Sequence, residues 1–183
     1  MSDDSPFSLP HLSEVFESLR RGHHLCAEDG KLYWALRDNL AAYQDLFRHL
    51  GFRLEVHPRD FFYIRGRDSL SPIASRMSVF VFILIEALAD QGEQVVDTLM
   101  TRTFSIPELP HLKGARFRTY LKEAGATSED DLRGIIRQLE RFGFAQRLTD
   151  DTFRFRTPAY RFFDLCIEIL NRHDKQSPQE EGK

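Results

Sequence analysis

Cysteine is nearly missing from this chain. Its 183 residues hold two, Cys26 and Cys166, far apart and without a CxxC pair. That spacing argues against a zinc knot or redox pair and for a reduced cytoplasmic protein. An apolar leader is also missing. The N-terminal "MSDDSPFSLPHL" is acidic, so no signal peptide is expected. The longest apolar run, "VFVFILIEALA", is short for a bilayer span and carries Glu86, so it reads as a buried core helix and no membrane partner is expected. Charge of one sign is missing too. A net charge of -3 gives no bulk attraction to nucleic acid, and any such contact must come from a local patch.

Catalytic signatures are absent as well. There is no G-x-x-x-x-G-K-[ST] phosphate loop and no G-x-S-x-G elbow. Nothing pairs a nucleophile with a base, so the chain reads as a non-enzyme with no cofactor. His23 and His24 lie near Cys26, Glu28 and Asp29. Adjacent histidines point apart, and no second cluster has ligand spacing, so a loop beside a helix start is the better reading than a metal site. Asp150 and Asp151 read as turn chemistry.

What the chain does have is sixteen Phe and a hidden repeat. Placing "RHLGFRLEVHPRDFFYIR" over "ERFGFAQRLTDDTFRFRT" at an offset of 92 matches Gly51 with Gly143, Phe52 with Phe144, Phe61 with Phe153 and Tyr63 with Phe155, with no gap. Each copy reads as a helix stopped by glycine, a strand, a short turn and a returning strand. The expected fold is mostly α with small β-hairpin wings (α+β), as two tandem winged-helix domains.

Elsewhere the pattern predicts a helix over 10–21, a long helix over 28–50, a buried helix over 77–89 and a helix over 129–142 opened by Thr127 or Ser128. Pro158 is expected to open a closing helix. The expected division is a disordered end over 1–8, a first winged-helix domain over 9–66 carrying dimer and partner contacts, a linker over 67–75, a second winged-helix domain over 76–172 carrying DNA contact, and a disordered tail over 173–183.

The second half carries the sharper chemistry. Arg133, Arg137 and Arg141 recur every four residues, opposite an apolar stripe. Strand alternation points Arg154 and Arg156 outward if Phe153 and Phe155 point in. Lys113, Arg116, Arg118 and Lys122 lie just upstream. Such cations suit successive phosphates of a duplex, bound without reading sequence. The competing reading is a solvated face neutralised in part by Glu140 and Asp130. In the first half, "FFYIR" places Phe61 and Tyr63 on one strand face and Phe62 and Ile64 on the other. Both faces are apolar, so something must cover the second: the other half, another copy or a partner. Tyr33 and Trp34 join this candidate interface.

The stretch "LRRGHHLCAEDGKLYWALRDNLAAYQDLFRHLGFRLEVHPRDFFYIRGR" resembles the N-terminal half of the MukE/MksE family. The shared features are the turn "RGHHL" (Arg21 to Leu25), the long Leu-, Tyr- and Phe-rich helix and the "FFYIR" strand. "RGIIRQLERFGFAQRL" and "FRFRTPAYRFF" match the second half, and the likeness covers roughly 9–170. Lacking a long acidic C-terminal extension, the chain looks most like MksE or its relative in the Wadjet plasmid-defence system.

The resemblance implies a non-catalytic tandem winged-helix subunit of a bacterial condensin, cytoplasmic and nucleoid-associated. It implies a homodimer that binds a kleisin of the MukF/MksF type, meets an SMC ATPase of the MukB/MksB type through it, and touches double-stranded DNA without sequence preference. The task would be chromosome organisation and segregation or plasmid restriction. By position it points to Arg133, Arg137 and Arg141 as DNA contacts, with Glu140 standing where the family tends to be basic. The alternative from another class is a sequence-specific winged-helix transcriptional regulator.

Overall fold

The computed structural model describes residues 9–65 and 71–166. Both expected disordered ends lie outside that range, as do the residues of the expected closing helix beyond 166. The first half runs α1 (Leu12–Arg20), α2 (Lys31–Asp38), α3 (Leu40–His49), β1 (Leu54–His57) and β2 (Phe61–Ile64). The second runs α4 (Pro72–Asp90), α5 (Val95–Thr101), β3 (Thr103–Ser105), α6 (Ala115–Glu123), α7 (Glu129–Arg141), β4 (Ala145–Arg147) and β5 (Thr152–Phe155). A 3-10 turn at Thr157–Ala159 then leads into helical residues 160–166. The chain is therefore mostly helical, with small antiparallel sheets.

Local chemistry sets most boundaries. Ser128 caps α7 by accepting the Asp131 amide, and Asp131 answers to the Ser128 amide. Ser71 caps α4 by accepting the Ala74 amide, with Pro72 in the first turn. The helix thus claims residues 72–75 of the expected linker. The expected single helix over 28–50 is also broken. A 3-10 turn occupies Ala27–Asp29, and Asn39 interrupts the path at φ -124° and ψ 27°. Its side-chain amide donates to the Ala35 carbonyl at 2.9 Å, a local bond that competes with the helix ladder. Leu36, Tyr43 and Phe47 are buried as the stripe demands, but Leu50 is 54% exposed.

Both hairpins leave their helices in the same way. Gly51 and Gly143 sit at φ 80° and 82°. The next residues reach back, Phe52 N–H to the Phe47 carbonyl and Phe144 N–H to the Leu139 carbonyl, each at 2.8 Å. The hairpins that follow close with turns of equal length, Pro58–Asp60 and residues 149–151, but the second starts one residue sooner after its glycine, so that the pair Leu54–Ile64 corresponds to Ala145–Phe155. The gap-free alignment therefore holds at the glycines and fails on both strands. Phe62 and Ile64 are the counterparts of Phe153 and Phe155, because a one-residue slip exchanges strand faces.

The likeness extends beyond the hairpins. β3 joins β5 to give the sheet order β3-β5-β4, with Phe104 opposite Phe153. In the first half a single bridge does the same work. Leu25 and Phe62 exchange N–H to carbonyl bonds at 2.9 and 2.8 Å. Each half thus places an edge strand or bridge ahead of two helices and a hairpin, with one helix before it in the first half and two, α4 and α5, in the second. Each has its own core. Val15, Leu19, Leu36, Tyr43, Phe47 and Phe62 fill the first. The second is centred on α4, through Phe80, Val81, Ile83 and Leu84, with Leu132, Ile135, Ile136 and Phe153 against it. α4 is long and apolar enough to span a membrane by length and composition, and here its apolar face makes this core.

Candidate nucleic-acid interface

The segment "RGHHL" lies against the end of α7. The His24 N–H donates to the Phe142 carbonyl at 3.0 Å, and His23 Nδ1 donates to the Arg141 carbonyl at 2.9 Å. These are terminal carbonyls that the helix itself cannot satisfy. Gly22 permits the approach, since a Cβ there would stand 2.6 Å from the Phe142 ring. Gly143 does the same on the other side, where a Cβ would stand 2.6 Å from the His24 carbonyl. His23 Nε2 meets the Asp29 carboxylate at 3.2 Å. Nδ1 of that ring thus links the halves, while Nε2 fixes the ring to Asp29 of its own half.

Electrostatics reinforce the joint. Arg156 is only 8% exposed and reaches Asp29 at 2.8 Å and Glu28 at 3.3 Å. Burial works against its charge, but Asp29, Cys26 and Glu28 together outweigh that and raise its pKa. Burial likewise opposes the Asp29 charge. Bonds from His23 and the Cys26 N–H, with Arg156 nearby, still hold its pKa down to about 2. His24 is pushed down to about 3, first by burial and then by Arg161. Burial raises the Cys26 thiol to about 11, which leaves it unreactive.

This joint corrects the aromatic assignments. Phe61 and Phe62 are fully buried, and Tyr33 is buried with its hydroxyl on Asp60 at 2.6 Å. Ile64 packs on the first core. On the second strand face, Tyr63 stacks on His24 at 5.4 Å and lies 4.0 Å beneath the Arg161 guanidinium. His57 meets Asp164 at 2.6 Å, and Arg59 covers Tyr160 at 4.4 Å. The face that needed a cover is covered by the other half of the same chain. Of the six aromatic and apolar candidates, Trp34 alone stands well exposed, at 49%, with Arg37 5.2 Å over its ring.

The cations also sort themselves. Arg156 does not point to solvent, because the outer sheet face beyond Arg154 runs into the joint. Arg133 is held by Asp151, Asp130 and Glu129 at 2.8, 2.9 and 3.4 Å. The Asp151 and Asp130 bonds raise its pKa. Arg116 is held by Asp90 at 2.5 Å and Glu86 at 3.3 Å. Lys113 donates to the Glu108 carbonyl at 2.7 Å. Arg118, Lys122, Arg137, Arg141 and Arg154 are exposed and have no carboxylate partner among the described residues. Arg137 and Arg141 stand one turn apart on α7. Arg154 lies on the outer face of the sheet, bonded to Gln146 at 2.8 Å. Glu140, the acid within the stripe, bonds Arg147 at 2.7 Å.

The sequence offers the other half as one possible cover for "FFYIR" but does not point to the residues that make the joint. Their signal was the glycine and paired histidines of "RGHHL", which have no helical or strand periodicity to serve. Among the described residues no cluster of His, Cys, Asp or Glu is arranged to hold a metal ion.

The chain was also compared with known proteins. No curated protein matches it at a significant level. The family model described as "Condensin complex protein MksE" matches residues 10–167, which spans both halves and the joint between them. On that match the chain belongs to the MksE family, and its place in a condensin is that of a non-catalytic accessory protein.

Proposed function

We propose that this chain is a tandem winged-helix subunit that binds a kleisin of the MukF/MksF type, dimerises, and contacts double-stranded DNA through its phosphates. Through the kleisin it meets an SMC ATPase of the MukB/MksB type, at the nucleoid. The winged-helix reading is supported by the element order. In a winged helix, an edge strand, two helices and a hairpin whose last strand joins the first follow an opening helix; the order in the first half supports this reading, as does that in the second apart from the added helix α5. α7 is then the helix offered to a duplex.

The observation that carries the DNA reading is the pair Arg137 and Arg141, exposed on α7 without carboxylate partners among the described residues. Arg118 and Lys122 on α6 extend the set, with Arg154 on the hairpin. Lone cations on a helix meet phosphates well, and base-reading groups are scarce on this face. For the partner, an exposed Trp34 on the first half is the kind of side chain that anchors protein interfaces. Arg137→Glu with Arg141→Glu tests the reading. The pair is expected to lower affinity for every duplex by about tenfold or more at low salt, with kleisin binding intact. Unchanged duplex binding would refute it. A single preferred operator would favour the transcriptional-regulator reading instead.

A further inference from the structure

We propose that Glu140 and Asp151 position the β4–β5 hairpin on α7 for nucleic-acid contact, rather than opposing that contact by their charge. The proposal rests on the DNA reading above. Glu140, in the last turn of α7, accepts the Arg147 backbone N–H at 3.1 Å and Arg147 Nε at 2.7 Å. Asp151, in the hairpin turn, accepts Arg133 Nε at 3.0 Å and Nη2 at 2.8 Å from earlier on α7. The two bridges run in opposite senses. One places the acid on the helix and the arginine on the strand, and the other reverses them. Together they tie the hairpin to α7 at the end of β4 and at its turn.

A hairpin with strands of three and four residues has little ladder to hold its angle. A binding surface shared between helix and hairpin needs that angle fixed. Arg133 and Arg147 are then braces, and the phosphate-facing cations are those left unpaired. The same arrangement explains how an acid can sit inside a basic stripe without defeating it, since its charge is consumed by Arg147.

Charge alone and positioning predict opposite signs for one substitution. Glu140→Ala removes a negative charge and frees Arg147 for a phosphate, so on charge alone duplex binding tightens and its salt slope steepens by about one. On positioning, binding weakens by about threefold or more. Glu140→Gln keeps an oxygen for Arg147 and is expected to bind close to the intact chain. The experiment measures duplex affinity at low salt for the full chain, Glu140→Ala, Glu140→Gln and the Arg137→Glu, Arg141→Glu pair. Hydrogen exchange of the Arg147 amide is followed alongside.

Weaker binding and faster Arg147 exchange in the alanine variant only, with an unchanged melting temperature, is the expected result. Equal or tighter binding by Glu140→Ala overturns the proposal. If the arginine pair changes nothing, the DNA reading itself fails. That failure is distinct, because the brace is still read in the Arg147 exchange.

Discussion

Gly143 and Gly51 occupy the same position in the two repeats and the same left-handed conformation, yet they face different surroundings. Gly51 has open space where a Cβ would stand, and Gly143 faces the His24 carbonyl at 2.6 Å. Gly51→Ala should cost about 1 kcal/mol of stability, the ordinary strain of a positive φ. Gly143→Ala should cost clearly more, about 3 kcal/mol, because the halves must also part. Urea denaturation of the two variants checks this, and equal losses would contradict the joint. The ion pair gives a second test at this scale. Removing one member of a buried pair strands the other, so Arg156→Ala should destabilise the chain by about 3 kcal/mol, whereas Arg154→Ala on the same strand should be near neutral. A small loss at Arg156 would mean that solvent reaches Asp29.

At the scale of elements, the sequence was legible where one face of an element decides its form. The capped α7, the glycine stops and the buried α4 are all written in periodicity and caps. The break at Asn39 was not, because neither glycine nor proline marks it and the stripe of Leu36, Tyr43 and Phe47 continues through it. The hairpin register was misread by one residue. Phe61 and Phe62 are both aromatic, so either can align with Phe153, and only the paired backbone distinguishes them. The basic stripe was half legible. Spacing placed Arg133, Arg137 and Arg141 on α7 correctly. It was silent on Asp151, which returns from eighteen residues away to engage Arg133. Arg156 followed strand alternation faithfully, but alternation does not say which outer face another half will cover.

The whole molecule behaves as two similar units joined by histidines, and this sets its response to pH. His24 has its pKa lowered to about 3 and His111, which donates Nε2–H to the Phe80 carbonyl, to about 4, in both cases chiefly by burial. An unfolded histidine titrates near ~6.5, so the unfolded chain binds more protons between that value and the folded one. Stability is therefore full above about 6.5 and falls as pH drops toward 4, by about 2 kcal/mol per histidine at pH 5. Below the ordinary range of Asp, loss of the Asp29 charge adds to the fall, since its pKa is held down to about 2. Urea titrations at pH 7.5 and 5 check the sign. Equal stability at both would place His24 in solvent.

The same joint has a functional consequence. Because "RGHHL" holds the end of α7, the proposed partner site on the first half and the proposed duplex site on the second would be held in one fixed relation. The proposed surface grips DNA by its phosphates. The most direct measurement is the affinity of the purified chain for two duplexes of unrelated sequence across a salt series. Equal affinities that fall together and steeply with salt are predicted, with the log–log slope reduced by roughly two in Arg137→Glu, Arg141→Glu. A preference of about a thousandfold for one duplex, or an affinity indifferent to salt, would contradict it.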